Sequence, residues 1–174
     1  NCSWGKDAFT QQYYDLMKAG NNAGMIYVTA AGNDGRDLDR SPSYPAALDL
    51  PNNLSILATN LKDGLIRGLG ERGEILTNYG RIRIKAGMSA RRMAIALPRD
   101  EPDGYKESYD TSSATALATG VVALVRAANP RLPPARLMEI LRLTADRNPE
   151  LEERCLFGGR LNAGRAVAMA LQEP

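Results

Sequence analysis

The sequence predicts an α/β fold built on a parallel sheet, and three observations carry that prediction. A helical stripe of apolar residues runs into a glycine break and then into a short β-branched and aromatic strand, the repeating unit of such sheets. A second stretch, NNLSILATN at residues 52–60, reads as another buried strand. Three further helical patterns then close the chain, with no internal repeat, linker or low-complexity tract between them. At 174 residues, 44% hydrophobic and 24% charged, the composition is that of one domain with a core of its own.

Each element has a local reason. Residues 7–19 (DAFTQQYYDLMKA) place Phe9, Tyr13, Leu16 and Met17 on one helical stripe, with Gly20 as the expected stop. Residues 25–29 read as a buried strand that ends in the turn AAGNDG. A loop punctuated by Pro42, Pro45 and Pro51 leads to the strand at 52–60. Residues 61–80 alternate apolar and polar residues around Gly64, Gly68, Gly70 and Gly73, which predicts a surface hairpin. RIRIKAG is a short strand; residues 93–97 are another and pass into a polar, proline-containing surface loop. Residues 114–128 are small or apolar until Arg126, the pattern of a core helix buried all round, and Gly120 within it implies close packing against a neighbour. NPRLPPARLMEILRLTAD is an amphipathic helix with proline at its start and Leu137, Ile140, Leu141 and Thr144 on one face. GGRLNAGRAVAMAL forms the last helix, capped by Asn162.

Composition narrows the function. A net charge of +2 implies neither a nucleic-acid nor a membrane partner, and Arg91-Arg92 reads as a solvated face. No apolar run is expected to reach the eighteen or so residues of a membrane span. Cys2 and Cys155 make no CxxC pair and read as buried free thiols, with one long-range disulfide as the alternative. The chain opens NCSWG and contains no histidine, so it reads as a processed chain or a piece of a larger protein, and chemistry that needs an imidazole must borrow it.

Two stretches belong at the carboxyl edge of the sheet, where open α/β folds bind ligands: AAGNDG after a strand and DTSSA before a helix. Ser112 at a helix N-terminus sits near unpaired N–H groups and the positive end of the dipole, which suits an anion forming in acyl transfer. Taken alone, the stretch reads as an N-cap serine. The Asn33 amide can donate to a developing oxyanion, or it is a turn asparagine. A nucleotide-binding reading of AAGNDGRD finds neither GxGxxG nor GxxxxGK[ST] to support it.

Together these stretches resemble the subtilisin-like serine peptidases, along essentially the whole chain and in family order. VTAAGNDG is similar to the family's strand and oxyanion-asparagine motif, and the Tyr-Pro-Ala turn before NNLSILATN to the segment after it. TNYG resembles Ser-Asn-Tyr-Gly, and DTSSATALATGVVALV resembles Gly-Thr-Ser-x-Ala-Thr-Pro-His-Val-Ala-Gly. NPRLPPARLMEILRLTAD and GGRLNAGRAV match the two closing helices, and NCSWG the edge strand that pairs with substrate.

The resemblance implies a three-layer α/β/α, subtilisin-like domain of which residues 1–174 are the C-terminal portion, since the motifs of the family's aspartate and histidine are not in this chain. It makes Ser112 the nucleophile of peptide-bond hydrolysis and Asn33 its oxyanion donor, with the Ser112 N–H as second donor and the general base supplied from outside the chain. It implies that Ser3, Trp4 and Gly5 bind the substrate backbone by β-augmentation, although Trp4 reads equally as a core tryptophan. Ala30, Ala31 and Gly32 would form one wall of a primary pocket with room for a large apolar side chain. The implied partners are a peptide or protein substrate and the N-terminal portion of the domain. No cofactor is identifiable; the resemblance allows calcium, but the sequence assigns it no site. The chain itself assigns no compartment, and the resemblance favours one outside the cytoplasm.

Three departures set up an alternative. Asp110 stands where the family usually has glycine, Ala116-Leu117 replace Pro-His, and IKAG lacks the proline of Ala-Pro-Gly. Asp110 is expected to tolerate left-handed backbone there while placing negative charge beside the serine. The alternative is a catalytically inactive relative that serves as a peptide-binding or scaffold module. A chain cut at NCSWG is also expected to expose an edge strand and apolar surface, and so to need a partner.

Overall fold

The computed structural model describes residues 1–68, 73–89, 93–96 and 105–174, with backbone alone at 93–96 and 105–108. Gly70, the Arg91-Arg92 face, Leu97 and the loop that follows it lie outside the described residues. β1 (Tyr27–Ala30), β2 (Asn53–Thr59) and β3 (Ala86–Ser89) run parallel, Tyr27 opposite Asn53 and Ile56 opposite Ala86. β4 (Met93–Ala96) and β5 (Tyr105–Ser108) form a separate antiparallel ribbon. β6 (Asp146–Arg147) pairs antiparallel with β7 (Gly159–Arg160), which lies parallel to β3, so the main sheet runs β1-β2-β3-β7-β6. Beyond β1, the Cys2 N–H donates to Val28 O at 2.8 Å and the Ala30 N–H donates to Cys2 O at 3.1 Å, which extends the sheet by a parallel bridge.

The helices are α1 (Gln11–Asn22), α2 (Thr111–Ala128), α3 (Pro134–Thr144), α4 (Pro149–Glu152) and α5 (Ala163–Ala170). Strand alternation sorts them into layers. Leu54, Ile56 and Ala58 of β2 face a cluster with Ala114, Ala118, Val121 and Val125 of α2, Leu137, Ile140 and Leu141 of α3, and Ala166 and Ala170 of α5. Leu57 faces the other way, packing with Leu38, Leu65, Ile84 and Leu151 of α4. All seven residues of β2 are buried, as a strand covered on both faces must be. This is the three-layer, mostly parallel α/β/α arrangement that the resemblance implies.

α3 and α5 form where the pattern puts them: Pro134 opens α3, its four named face residues are all buried, and Asn162 caps α5 by accepting from the Arg165 N–H at 2.9 Å. Elsewhere the structure corrects the reading. α1 starts at Gln11 and continues through Gly20 to Asn22, leaving Phe9 outside it and Leu16 exposed. Gly20 is a packing residue rather than a stop, because a Cβ there would lie 2.6 Å from the Tyr27 hydroxyl. Residues 81–83 form a turn, so β3 begins later than RIRIKAG suggests, and the polar segment before the serine contains β5.

α2 begins three residues early, at Thr111, and only one face of it is buried: Gly120, Ala123, Leu124 and Ala127 are exposed, and nothing lies within 4 Å of a Cβ placed on Gly120. At 18 residues it is the one described helix long and apolar enough to cross a membrane, by length and composition alone. Its four buried apolar residues, Ala114, Ala118, Val121 and Val125, pack with the sheet and with α3 and α5, as those of a core helix do.

Both cysteines are free. Cys155 is buried beneath α4, where desolvation pushes its thiol up. A raised thiol carries less thiolate at a given pH, so Cys155 should resist iodoacetamide in the native protein at about pH 8 and react once urea unfolds it. Mass spectrometry of the alkylated peptide reads this directly; equal labelling with and without urea would contradict it.

Candidate active site

The carboxyl end of β1 and the N-terminus of α2 meet at the same edge of the sheet, and each fixes the other's polar groups. After Ala30 the chain turns through Gly32, whose φ of +103° lies in the region that favours glycine. The Gly32 N–H donates to Thr111 Oγ1 at 3.2 Å, and the Thr111 N–H donates to Asn33 Oδ1 at 2.9 Å. The second bond sets the orientation of the Asn33 amide: its oxygen faces the helix, and Nδ2 has no acceptor among the described residues. Asn78, fully buried, holds the same turn from the opposite side.

The first turn of α2 can be accounted for donor by donor. Asp110 is the N-cap, with Oδ1 accepting from the Ser113 N–H at 2.8 Å and its carbonyl from the Ala114 N–H at 3.2 Å. Thr111 is taken by Asn33, which leaves the Ser112 N–H as the one without an acceptor among the described residues. Ser112 is therefore not the cap. Asp110 also has φ −106° and ψ 169°, extended backbone open to any residue, so the left-handed conformation expected at this position is not present. Asp110→Ala should cost the complete protein about 0.5–2 kcal/mol through loss of the cap. A urea midpoint unchanged from wild type would contradict that.

The N-terminal segment lies against the serine. Ser112 Oγ donates to Ser3 O at 3.4 Å, and Ser3 Oγ donates back to Ser112 O at 3.1 Å. Trp4 is 48% exposed, with its ring edge-on to Tyr13 at 5.4 Å, so it is a surface residue and not part of the core. Gly5 is exposed, and the chain then pairs through Lys6 with Tyr44. Ala30 and Ala31 are buried and Gly32 half-buried. Asn33, Leu76, Thr77, Tyr109 and Asp110 line a cavity of about 260 Å³ beside the serine. Arg36 bridges Asp7 at 2.8 Å and Asp34 at 3.3 Å; the bond from Asp7 raises its pKa and keeps it cationic. Among the described residues no group of three or more His, Cys, Asp or Glu side chains is placed to hold a metal ion.

A mostly parallel sheet with helices on both faces thus places Ser112 in the first turn of α2, at the carboxyl edge of the strands. The chain belongs to the subtilase family: a family model of that description, Peptidase_S8, matches residues 1–159. Subtilisin-like protease 1 of Plasmodium vivax is 25% identical over 184 aligned residues, covering 98% of this chain and 28% of that protein. A subtilase cytotoxin subunit from Escherichia coli is 28% identical over 173, covering 88% and 47%. The crystal structure of the A-subunit of the AB5 toxin from E. coli superposes with a TM-score of 0.80 at 22% identity, over 96% of this chain and 58% of that one. The chain thus spans less than half the length of these two curated relatives.

The sequence reading did not find two residues that build the site, Thr111 as the anchor of Asn33 and Asn78 as the inner brace. Thr111 lies inside a matched motif. Asn78 also lies inside a matched motif, TNYG, but its partners are more than forty positions away, so the motif does not show what it braces.

Proposed function

We propose that this chain is the C-terminal part of the catalytic domain of a subtilisin-like serine endopeptidase, with Ser112 as nucleophile. Ser112 Oγ attacks the scissile carbonyl carbon, and its proton passes to a base outside this chain, which has no histidine. The carbonyl π pair moves onto oxygen, and Asn33 Nδ2 and the Ser112 N–H hold the oxyanion. Collapse expels the amine, which takes the proton back, and water then hydrolyses the acyl-enzyme on Ser112. The substrate backbone lies along Ser3, Trp4 and Gly5, and Ala30, Ala31 and Gly32 wall the pocket before the scissile bond.

One observation carries this reading. In a helix turn where every other N–H has an acceptor, the donor left open among the described residues belongs to the serine itself, beside an asparagine whose Nδ2 has no acceptor among them either. The exposed apolar face of α2 supports a further segment of the complete domain, N-terminal to this one and bearing the base, packing there. Peptide or protein substrates and action outside the cytoplasm go with the same reading.

An activated ester tests it in the complete protein. Acylation of Ser112 should release a burst of about one equivalent of p-nitrophenol, followed by slower turnover. A folded, complete protein with no burst would favour the inactive, peptide-binding alternative.

A further inference from the structure

Asn78 bonds to the Asn33 turn through both its backbone and its side chain. Its N–H donates to Gly32 O at 2.8 Å, and its Nδ2 donates to Ala31 O at 2.9 Å. Its Oδ1 accepts from the Asp34 N–H at 3.0 Å and the Arg36 N–H at 2.9 Å. A weaker contact at 3.4 Å joins Nδ2 to Asp34 Oδ2. These bonds fall on residues 31, 32, 34 and 36, on both sides of Asn33, while Asn33 itself is held at its side chain by Thr111.

The brace is anchored in the core. Thr77 Oγ1 accepts from the Ala58 N–H of β2 at 2.9 Å and donates to Asn78 O at 3.1 Å. Gly32 completes the fit, since a Cβ there would come within 2.5 Å of Asn78 Nδ2. Only a short side chain with a donor and a two-lone-pair acceptor at its tip can make these bonds together. Aspartate keeps the acceptor and loses the donor; alanine loses both.

We propose that Asn78 is a positioning residue of the oxyanion hole. It holds the turn so that Asn33 Oδ1 meets the Thr111 N–H and Asn33 Nδ2 projects toward the oxyanion. This rests on the reading of Asn33 as an oxyanion donor. Displacing such a donor by about 1 Å is enough to cost on the order of 10²-fold in rate.

The test is a double-mutant cycle in the complete protein: Asn78→Asp and Asn78→Ala, each alone and with Asn33→Ala. Asn78→Asp keeps the two acceptor bonds and serves if the alanine variant does not fold. Either substitution alone should lower kcat about tenfold to a hundredfold with KM within about twofold, and change kcat by less than about threefold once Asn33 is alanine. Equal losses in both backgrounds, a rise in KM alone, or wild-type rates would overturn the positioning role. Wild-type kcat in Asn33→Ala, or a complete protein without peptidase activity, would instead remove the reading on which it rests.

Discussion

Alanine at Ser112 in the complete protein is expected to lower kcat by about 10⁶, the loss known for subtilisin's own nucleophile. Stability should stay within about 0.5 kcal/mol of wild type. The two halves of that result separate the roles a serine can have at a helix start. A capping serine would cost stability and leave chemistry alone, but here the cap is Asp110. The Ser112 hydroxyl is half-buried and makes one long bond, 3.4 Å to Ser3 O, so little of the fold depends on it. Activity assay and urea titration of the same variant read both halves. A stable, fully active Ser112→Ala would end the proposal that this serine attacks the substrate.

Asn33→Ala should reduce kcat by about 10²–10³ with KM nearly unchanged, again the size found when subtilisin loses its oxyanion asparagine. The selectivity for kcat follows from where the charge is. A ground-state carbonyl needs little from Nδ2, whereas the tetrahedral intermediate places a full negative charge beside it. The substitution also removes the acceptor of the Thr111 N–H, so that a second first-turn N–H is left open beside the Ser112 N–H. Asn33 is exposed, which keeps the stability cost modest. Steady-state kinetics decide the matter: a rise in KM with kcat intact would make Asn33 a ground-state binding residue.

How far the sequence could be read depended on the range of the interactions. α3 and α5 were legible because their apolar period, proline start and asparagine cap are all local. The match of AAGNDG and DTSSA to one edge of the sheet held because strand end and helix start are set by their own glycine and capping residues. α1 was misplaced because Gly20 works through the Tyr27 ring, a contact that a helix-stop rule cannot contain. β6 and β7, with two residues each, have no period to detect. Asp110 reads in sequence as a charge beside the nucleophile, whereas its geometry is that of a cap. The one-sided burial of α2 was hidden because small apolar residues look the same in sequence whether or not a neighbour covers them.

Fluorophosphonate labelling of the complete, folded protein, with the adduct mapped by mass spectrometry, shows whether Ser112 is a working nucleophile. A single phosphonyl adduct is expected on Ser112, absent in Ser112→Ala and slowed in Asn33→Ala. A folded protein that takes no label, or takes it on another serine, would contradict it.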